Sequence, residues 1–480
     1  MSEATGGNEY RRQRIENMRK LEEAGHAPFG AAFERTADLK TLHETFEEGR
    51  KVRACGRIVA MRKMGKMAFA HVDDGYARFQ LMLKKDVLGD DAFAAFKLLD
   101  IGDFVGVEGE QFVTRTGEET IRAGSWTLLS KALLPLPEKW HGLQDVELRY
   151  RQRSLDLISN PEAMERFKKR TLALREIRRF LDDRGYFEVE TPMLQPIAGG
   201  AAAKPFVARY NALSTDVYLR IAPELYLKRL IVGGMDRVYE MNRNFRNEGL
   251  DRTHNPEFTA LEIYRAYGDV RTMQELIQSM TLHVAETVFG KTVFEWMGHE
   301  IDLKTPWREV PYRDLIRERL GDDWFERDAA AARAKAAELD VHVEPEMDFR
   351  EITHEIYEKV IEGTLIQPTF VTRLPVELVP LANRCAEDPE SVDVFELIIG
   401  GKEIAPAYSE LNDPLEQRRR FEEQAGGDAA KIDEDFLTAL EYGMPPTGGM
   451  GIGIDRLLML LTGCDAIRDV ILFPQLKPRA

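Results

Sequence analysis

Between Lys51 and Leu134, apolar and polar residues alternate in short runs separated by turn residues, the period-two pattern of strands that bury one face. Such a series predicts a small five-stranded barrel. Asp74-Gly75 is a two-residue hairpin signal, because both turn positions need a positive φ that Asp and Gly tolerate. The register it sets pairs Val72 with Ala77, Ala70 with Phe79 and Ala68 with Leu81 as an inward face. The other face then carries Phe69 opposite Gln80 and His71 opposite Arg78. Ahead of the barrel, residues 9–24 read as a polar helix stopped by Gly25, with Pro28 beyond it. Behind it, Pro135 and Pro137 open a charged linker. The boundaries expected are a helical extension over 1–50, the barrel over 51–135, a linker over 136–155 and a larger domain over 156–480.

In the larger part the period changes to that of helices. Phe167, Leu174, Ile177 and Leu181 fall on one stripe between Asn160 and Arg184, and Gly185 is placed to close the last turn. A strand over Tyr186–Glu190 follows, and further helices are expected over Asp269–Lys291 and Trp324–Leu339. The Ala-rich stretch 328–338 carries no chemistry of its own. A glycine-rich turn, Gly448 to Gly453, leads into an apolar helix, Asp455–Leu461. The fold class expected is α+β.

At 480 residues the chain is long enough for at least two cores. No apolar run is long enough to span a bilayer, and the polar start Met1–Lys20 lacks the form of a secretory signal, so a cytoplasmic site is expected. Three scattered cysteines, Cys55, Cys385 and Cys464, suit neither a disulfide framework nor a thiolate metal cage. The net charge of -16 argues against bulk attraction to nucleic acid, while basic clusters such as Tyr10–Lys20 and Arg57–Lys66 leave room for a local RNA-binding face.

Three constellations carry chemistry. On the open face of the barrel, Phe69 beside Gln80 and Arg78 offers a ring on which a base can stack and groups that can read its edge. The segment Val238–Tyr267 reads as two strands around a polar loop. It brings Arg246, Glu248, Arg252 and His254 near a floor of Phe258, Glu262 and Tyr264, which share one strand face. Arginine offers a fork for phosphate or carboxylate, and Phe a surface for a purine. In the third, the hairpin signal Gly400-Gly401 places Glu403 opposite Ile398 with Glu396 as its diagonal neighbour, and two converging carboxylates call for a shared cation such as Mg²⁺.

RGYFEVETPML, FRNEG with HNPEFT, and GIGIDRLLML, in that order, resemble the three motifs of class II aminoacyl-tRNA synthetases. Within that class HGLQDVELRYRQRSLDLI, GGAAAKPF, YLRIAPELYLKRLIVGG, SELNDPLEQRRRF, LEYGMPP and IRDVILFP are similar to the lysine enzyme of bacteria. The resemblance implies an OB-type barrel that reads the anticodon through Phe69, Gln80 and Arg78, and an antiparallel catalytic domain flanked by helices. It implies ATP-dependent activation of L-lysine and its transfer to tRNA(Lys), in a homodimer formed through the helix and strand of the first motif. Arg246 and Arg456 would be catalytic. Glu248, His254, Asn255 and Phe258 would join them on ATP, Glu396 and Glu403 would hold Mg²⁺, and Gly200, Glu224, Arg246, Glu262, Tyr264, Tyr408 and Glu410 would bind lysine. An acidic pocket fits an ammonium, which has three donors and no acceptor. Three positions depart from the pattern: Pro406 where Asn is usual, Val379 where Ser is usual, and Leu374 where an aromatic is usual. Proline there requires the strand to break or to lie at an edge. The departures leave open a relative that activates a lysine analogue, or one that binds or regulates tRNA without catalysis.

Overall fold

Alternating burial closes residues 51–130 into a barrel, and the longer apolar stripes further on build a second, larger core. The computed structural model describes residues 2–137, 143–201, 203–304, 306–426 and 432–478, and the chain divides into two compact units, Met1–Gln144 and Asp145–Ala480.

In the first unit the helix Ser2–Glu23 ends just before Gly25, whose φ of 85° lets the chain turn away. The strands Lys51–Met64, Met67–Asp73, Arg78–Lys84, Phe104–Val113 and Glu119–Ser130 close in the order first, second, third, fifth, fourth. Inward residues such as Ile58, Ala70, Val72, Phe79, Leu81, Val105 and Ile121 are buried, and Phe96 meets Trp126 edge-on at 5.5 Å.

The expected hairpin register is displaced by two residues. Asp73 pairs with Arg78, Val72 with Phe79, His71 with Gln80, Ala70 with Leu81 and Phe69 with Met82. The turn is longer because Asp74 Oδ1 accepts the backbone N–H groups of Tyr76 and Ala77 at 3.0 and 3.2 Å, holding four residues in the loop instead of two. A slip of two leaves every side chain on its expected face, so the inward set stands while the outward pairs change.

The second unit is built on an eight-stranded sheet. Its order is Arg308–Pro311, Thr369–Thr372, Val394–Ile399, Lys402–Ser409, Thr447–Gly453, Glu257–Ala266, Arg237–Phe245 and Phe187–Glu188, antiparallel except for the two outermost pairs. The segment from residue 145, read as linker, is held by this unit: Val146–Arg151 and Arg153–Ser159 are helices. Fully buried Arg153 pairs with Asp156 and donates to the carbonyls of Arg468, Ile471 and Leu472.

Pro161 opens the helix Pro161–Asp182, which buries Phe167, Ile177 and Leu181. The strand after it is shorter than expected, Phe187–Glu188. The Ala-rich stretch has a packing role: the helix Ala329–Glu338 lays fully buried Ala332 and Ala336, one turn apart, against a cluster containing Trp324 and Ile352.

The glycine-rich segment is a central strand instead of a turn. Thr447–Gly453 pairs with Glu257–Ala266 on one side and Lys402–Ser409 on the other, and the helix Ile454–Thr462 follows. Pro406 sits inside Lys402–Ser409 without ending it. The ladder to the glycine strand begins only at Ala407, and a bulge interrupts the other ladder between Leu397 and Ile398, so Pro406 occupies a local edge within an interior strand. Leu374 and Val379 lie buried in an apolar cluster, leaving Pro406 as the departure that reaches the site.

Candidate active site

On the strand Glu257–Ala266, Phe258, Ala260, Glu262 and Tyr264 point to one side, and all four line a cavity of about 680 Å³. Its walls bring together Gly200, Glu224, Arg246, Glu248, His254, Asn255, Glu403, Tyr408, Glu410 and Arg456, all singled out from the sequence, together with Pro406.

One end is acidic and closed. Glu224, Glu262 and Glu410 are 6, 8 and 1% exposed. Tyr264 donates its hydroxyl to Glu262 Oε2 at 3.0 Å. Burial, then the charge of Glu224, pushes the Glu262 carboxyl up to about 8, against the pull of Tyr264 and Arg220. Burial also raises Tyr264 and Tyr408 far above the usual phenol range, with the neighbouring glutamates adding to it. Among the described residues Glu410 Oε1 has no hydrogen-bond partner, an orphan acceptor that suits an incoming donor.

Glycines shape this end. A methyl on Gly449 would lie 1.9 Å from Glu410 Oε1 and 2.6 Å from Tyr264 Cε1. Gly200, at φ 84°, presses on Glu224, where a methyl would stand 3.1 Å from its Cβ.

The other end is cationic and open. The Arg246 guanidinium lies over the Phe258 ring at 5.2 Å. Arg456 donates from Nη1 to the Glu403 carbonyl at 2.9 Å and from Nη2 to His254 Nε2 at 3.0 Å. To accept there, His254 must carry its proton on Nδ1, which lies 2.7 Å from Asp251 Oδ2. Asn255 is buried, donating to the Glu257 carbonyl at 2.6 Å, while exposed Glu248 accepts the Lys204 N–H at 3.3 Å.

Glu396 does not line the cavity. The hairpin gives the expected Ile398–Glu403 pair, but the bulge after it sets Glu396 opposite Pro406. Burial raises Glu396 well above the carboxylate range, and the charges of Glu403, Glu362 and Glu358 raise it further. Among the described residues no three His, Cys, Asp or Glu side chains are grouped to hold a metal.

In the barrel Phe69 is half-buried, with Met82 and Arg62 as its neighbours on adjacent strands. Gln80 is 8% exposed: it accepts from Thr120 Oγ1 at 2.8 Å and donates to Glu118, and among the described residues its other N–H and lone pair have no partner. Arg78 is tied to Asp73 Oδ2 at 2.9 Å.

Residues 145–477 match the family described as tRNA synthetases class II (D, K and N), and residues 52–129 match an OB-fold nucleic acid binding domain. The chain belongs to this synthetase family. It is 51% identical to a lysine–tRNA ligase of Syntrophomonas wolfei over 98% of each chain. It is likewise 51% identical to a lysine–tRNA ligase of Carboxydothermus hydrogenoformans, over 98% of this chain and 99% of that one. A lysine–tRNA ligase of Enterococcus faecalis is 50% identical over 97 and 96%.

The synthetase's cavity includes residues the sequence reading passed over. Asn244 lines it with a buried Oδ1 that has no hydrogen-bond partner among the described residues; its signal is the i, i+2 spacing to Arg246. Behind the wall, Lys228 is fully buried and forms an ion pair with both Glu224 and Glu410. Its signal is the i, i+4 spacing in ELYLK. Buried Arg220 pairs with Glu240 at 2.6 Å, and Glu240 is the cross-strand partner of Glu262.

Proposed function

We propose that this synthetase activates L-lysine with ATP to lysyl-adenylate and transfers the lysyl group to the 3′ end of tRNA(Lys). The observation that carries this is one cavity with a closed carboxylate end, Glu262 and Glu410, and an open guanidinium end, Arg246 and Arg456. A long primary amine reaches the first while its own carboxylate lies towards the second.

Glu262, Tyr264 and Glu410 receive the ε-ammonium, and Tyr408 closes the pocket beside them. Glu224 and the turn at Gly200 receive the α-ammonium. Arg246 holds the substrate carboxylate against the α-phosphate. Phe258 and Arg456 flank the adenine, and Glu248, His254 and Asn255 contact the nucleotide. The substrate carboxylate is the nucleophile, attacking the α-phosphorus as pyrophosphate leaves. The side chains contribute alignment and charge, with Arg246 balancing the negative charge that grows on the phosphate oxygens. The terminal adenosine hydroxyl of tRNA then attacks the adenylate carbonyl.

Glu403, on the cavity wall, and Glu396 beside it are the pair suited to Mg²⁺; the raised Glu396 marks carboxylates crowded without a counter-charge. When bound there, the ion would screen the phosphate charge.

Homodimer formation through the first motif is supported by Phe187, Leu194, Val207, Tyr210 and Leu213, large apolar side chains left open to solvent after the helix Pro161–Asp182. No helix of the described residues is long and apolar enough to cross a membrane, and the proposed place of action is the cytoplasm.

The test is amino-acid-dependent exchange of pyrophosphate into ATP across lysine, β-lysine and ornithine. Exchange that is fastest with lysine is expected. An enzyme that exchanges with none of the three would remove the reading.

A further inference from the structure

The helix Glu224–Val232 begins at the cavity wall, and its period puts Lys228 one turn behind Glu224 on the same face. Lys228 Nζ lies 2.7 Å from Glu224 Oε1 and is ion-paired with Glu410 Oε2. It is 0% exposed and does not line the cavity, so it never meets a ligand directly. A lone ammonium so placed would be expelled or neutralised. Burial does depress it, but the charges of Glu224 and Glu410 outweigh burial and push it up to about 12. It therefore stays cationic throughout the neutral range.

The charges at this end now add up. Three carboxylates face the amine end, those of Glu224, Glu262 and Glu410, and one internal ammonium stands behind two of them. Burial holds the Glu262 and Glu410 carboxyls up to about 8 in the empty pocket, with Lys228 pulling Glu410 down; once all three are ionised to receive a ligand, the excess is two negative charges. Lysine brings two ammonium groups, while its carboxylate is met by Arg246 at the other end. Without Lys228 the ionised end would carry an excess of three, so its carboxyls would hold their protons to higher pH, and a protonated carboxyl has no charge to pair with an ammonium.

We propose that Lys228 is a positioning residue: it clamps Glu224 and Glu410 into one rigid pair and sets the charge of the amine end to match an amino acid with two ammonium groups. This rests on the lysine reading above. The groups that face the clamp are Glu224 on its own helix, Glu410 and Tyr408 after and within the strand Lys402–Ser409, Glu262 and Tyr264 on Glu257–Ala266, and the pair Arg220–Glu240 behind Glu262.

The experiment is pyrophosphate exchange by the full-length enzyme and its Lys228→Met variant, with lysine and ATP varied separately from pH 6 to 9. The variant is expected to raise KM for lysine roughly tenfold and leave KM for ATP within about twofold. It is also expected to move the acid limb of kcat/KM for lysine upward by about one pH unit, since one unit is the tenfold change in the same equilibrium. An unmoved limb and unmoved KM for lysine overturn the proposal, as does an equal rise for both substrates. Should Lys228→Met not fold, Lys228→Arg decides: with charge preserved in a bulkier head, KM for lysine rises and the limb stays, whereas a limb that moves overturns the charge role. A wild-type enzyme without lysine-dependent exchange overturns the amino-acid reading; one that exchanges while the variant behaves identically overturns only the role of Lys228.

Discussion

Arg170 and Asp455 are joined at 2.6 Å, Nη1 to Oδ1, across 285 residues of chain. The other oxygen of Asp455 accepts the Thr259 N–H at 2.8 Å, and Arg170 Nη2 donates to Thr259 Oγ1 at 3.2 Å. The helix of the first motif, the floor strand of the second and the helix start of the third thus meet at one ionic point, immediately before Arg456. With side chains 11 and 3% exposed, the pair is largely shielded from water. Replacing Arg170 by Met leaves the Asp455 charge uncompensated, which costs about 3 kcal/mol. The expected outcome is a lower melting temperature and a roughly tenfold higher KM for ATP, with KM for lysine within about twofold. Unchanged ATP dependence in pyrophosphate exchange would show the bond to be structural only.

Gly449 makes the acidic end possible. A methyl there would collide with Glu410 Oε1 at 1.9 Å and Tyr264 Cε1 at 2.6 Å, and both atoms belong to side chains already wedged among buried neighbours. Gly449→Ala is expected to displace the carboxylate, raise KM for lysine about a hundredfold and spare ATP binding. Separate titrations of the two ligands by calorimetry check it; equal loss of both would point to a disrupted sheet.

The site was readable where chemistry and periodicity coincide. Phe258, Glu262 and Tyr264 alternate on one strand, so their common face follows from spacing alone. The three motifs, being local strings, carried the family. What escaped depends on distant approach. Thr447–Gly453 looks like a turn because its glycines advertise freedom, yet they are small so that Tyr264, Glu410 and the Asp269 backbone can press against a central strand. The hairpin after Asp73 slipped by two because Asp74 lengthens the turn through its side chain, which a two-residue signal does not reveal. Lys228 resembles any surface member of an i, i+4 pair, and only the fold brings Glu410 to it.

Glu262 should couple stability and lysine binding to pH. Its carboxyl, ordinarily near 4.5, keeps its proton in the empty folded enzyme up to about 8. Between those values the folded state binds more protons than the unfolded one, so this group lowers stability as pH rises through the window. Glu262→Gln removes the titration. Its melting temperature should fall less than that of the wild type between pH 6 and 8, by a few degrees, because the linkage removes about 2 kcal/mol over that window. The same carboxyl must be ionised to receive an ammonium, so wild-type KM for lysine should fall roughly fivefold from pH 7 to 8. Parallel pH curves for wild type and variant would remove this assignment.

In the barrel the proposed anticodon contacts rest on Phe69 and on the unused hydrogen-bonding capacity of Gln80. Thr120 and Glu118 hold the Gln80 amide in a fixed orientation. Phe69 is half-buried on that sheet, with its neighbours Met82 and Arg62 able to support a stacked ring from the sides. Stacking on one aromatic contributes about 1–3 kcal/mol per base. Phe69→Ala should therefore raise KM for tRNA between about fivefold and a hundredfold, while lysine-dependent pyrophosphate exchange, which needs no tRNA, stays at wild-type rate. Aminoacylation and exchange measured on the same preparation separate the two. Loss of both together would mean that the barrel supports the catalytic unit instead of reading RNA.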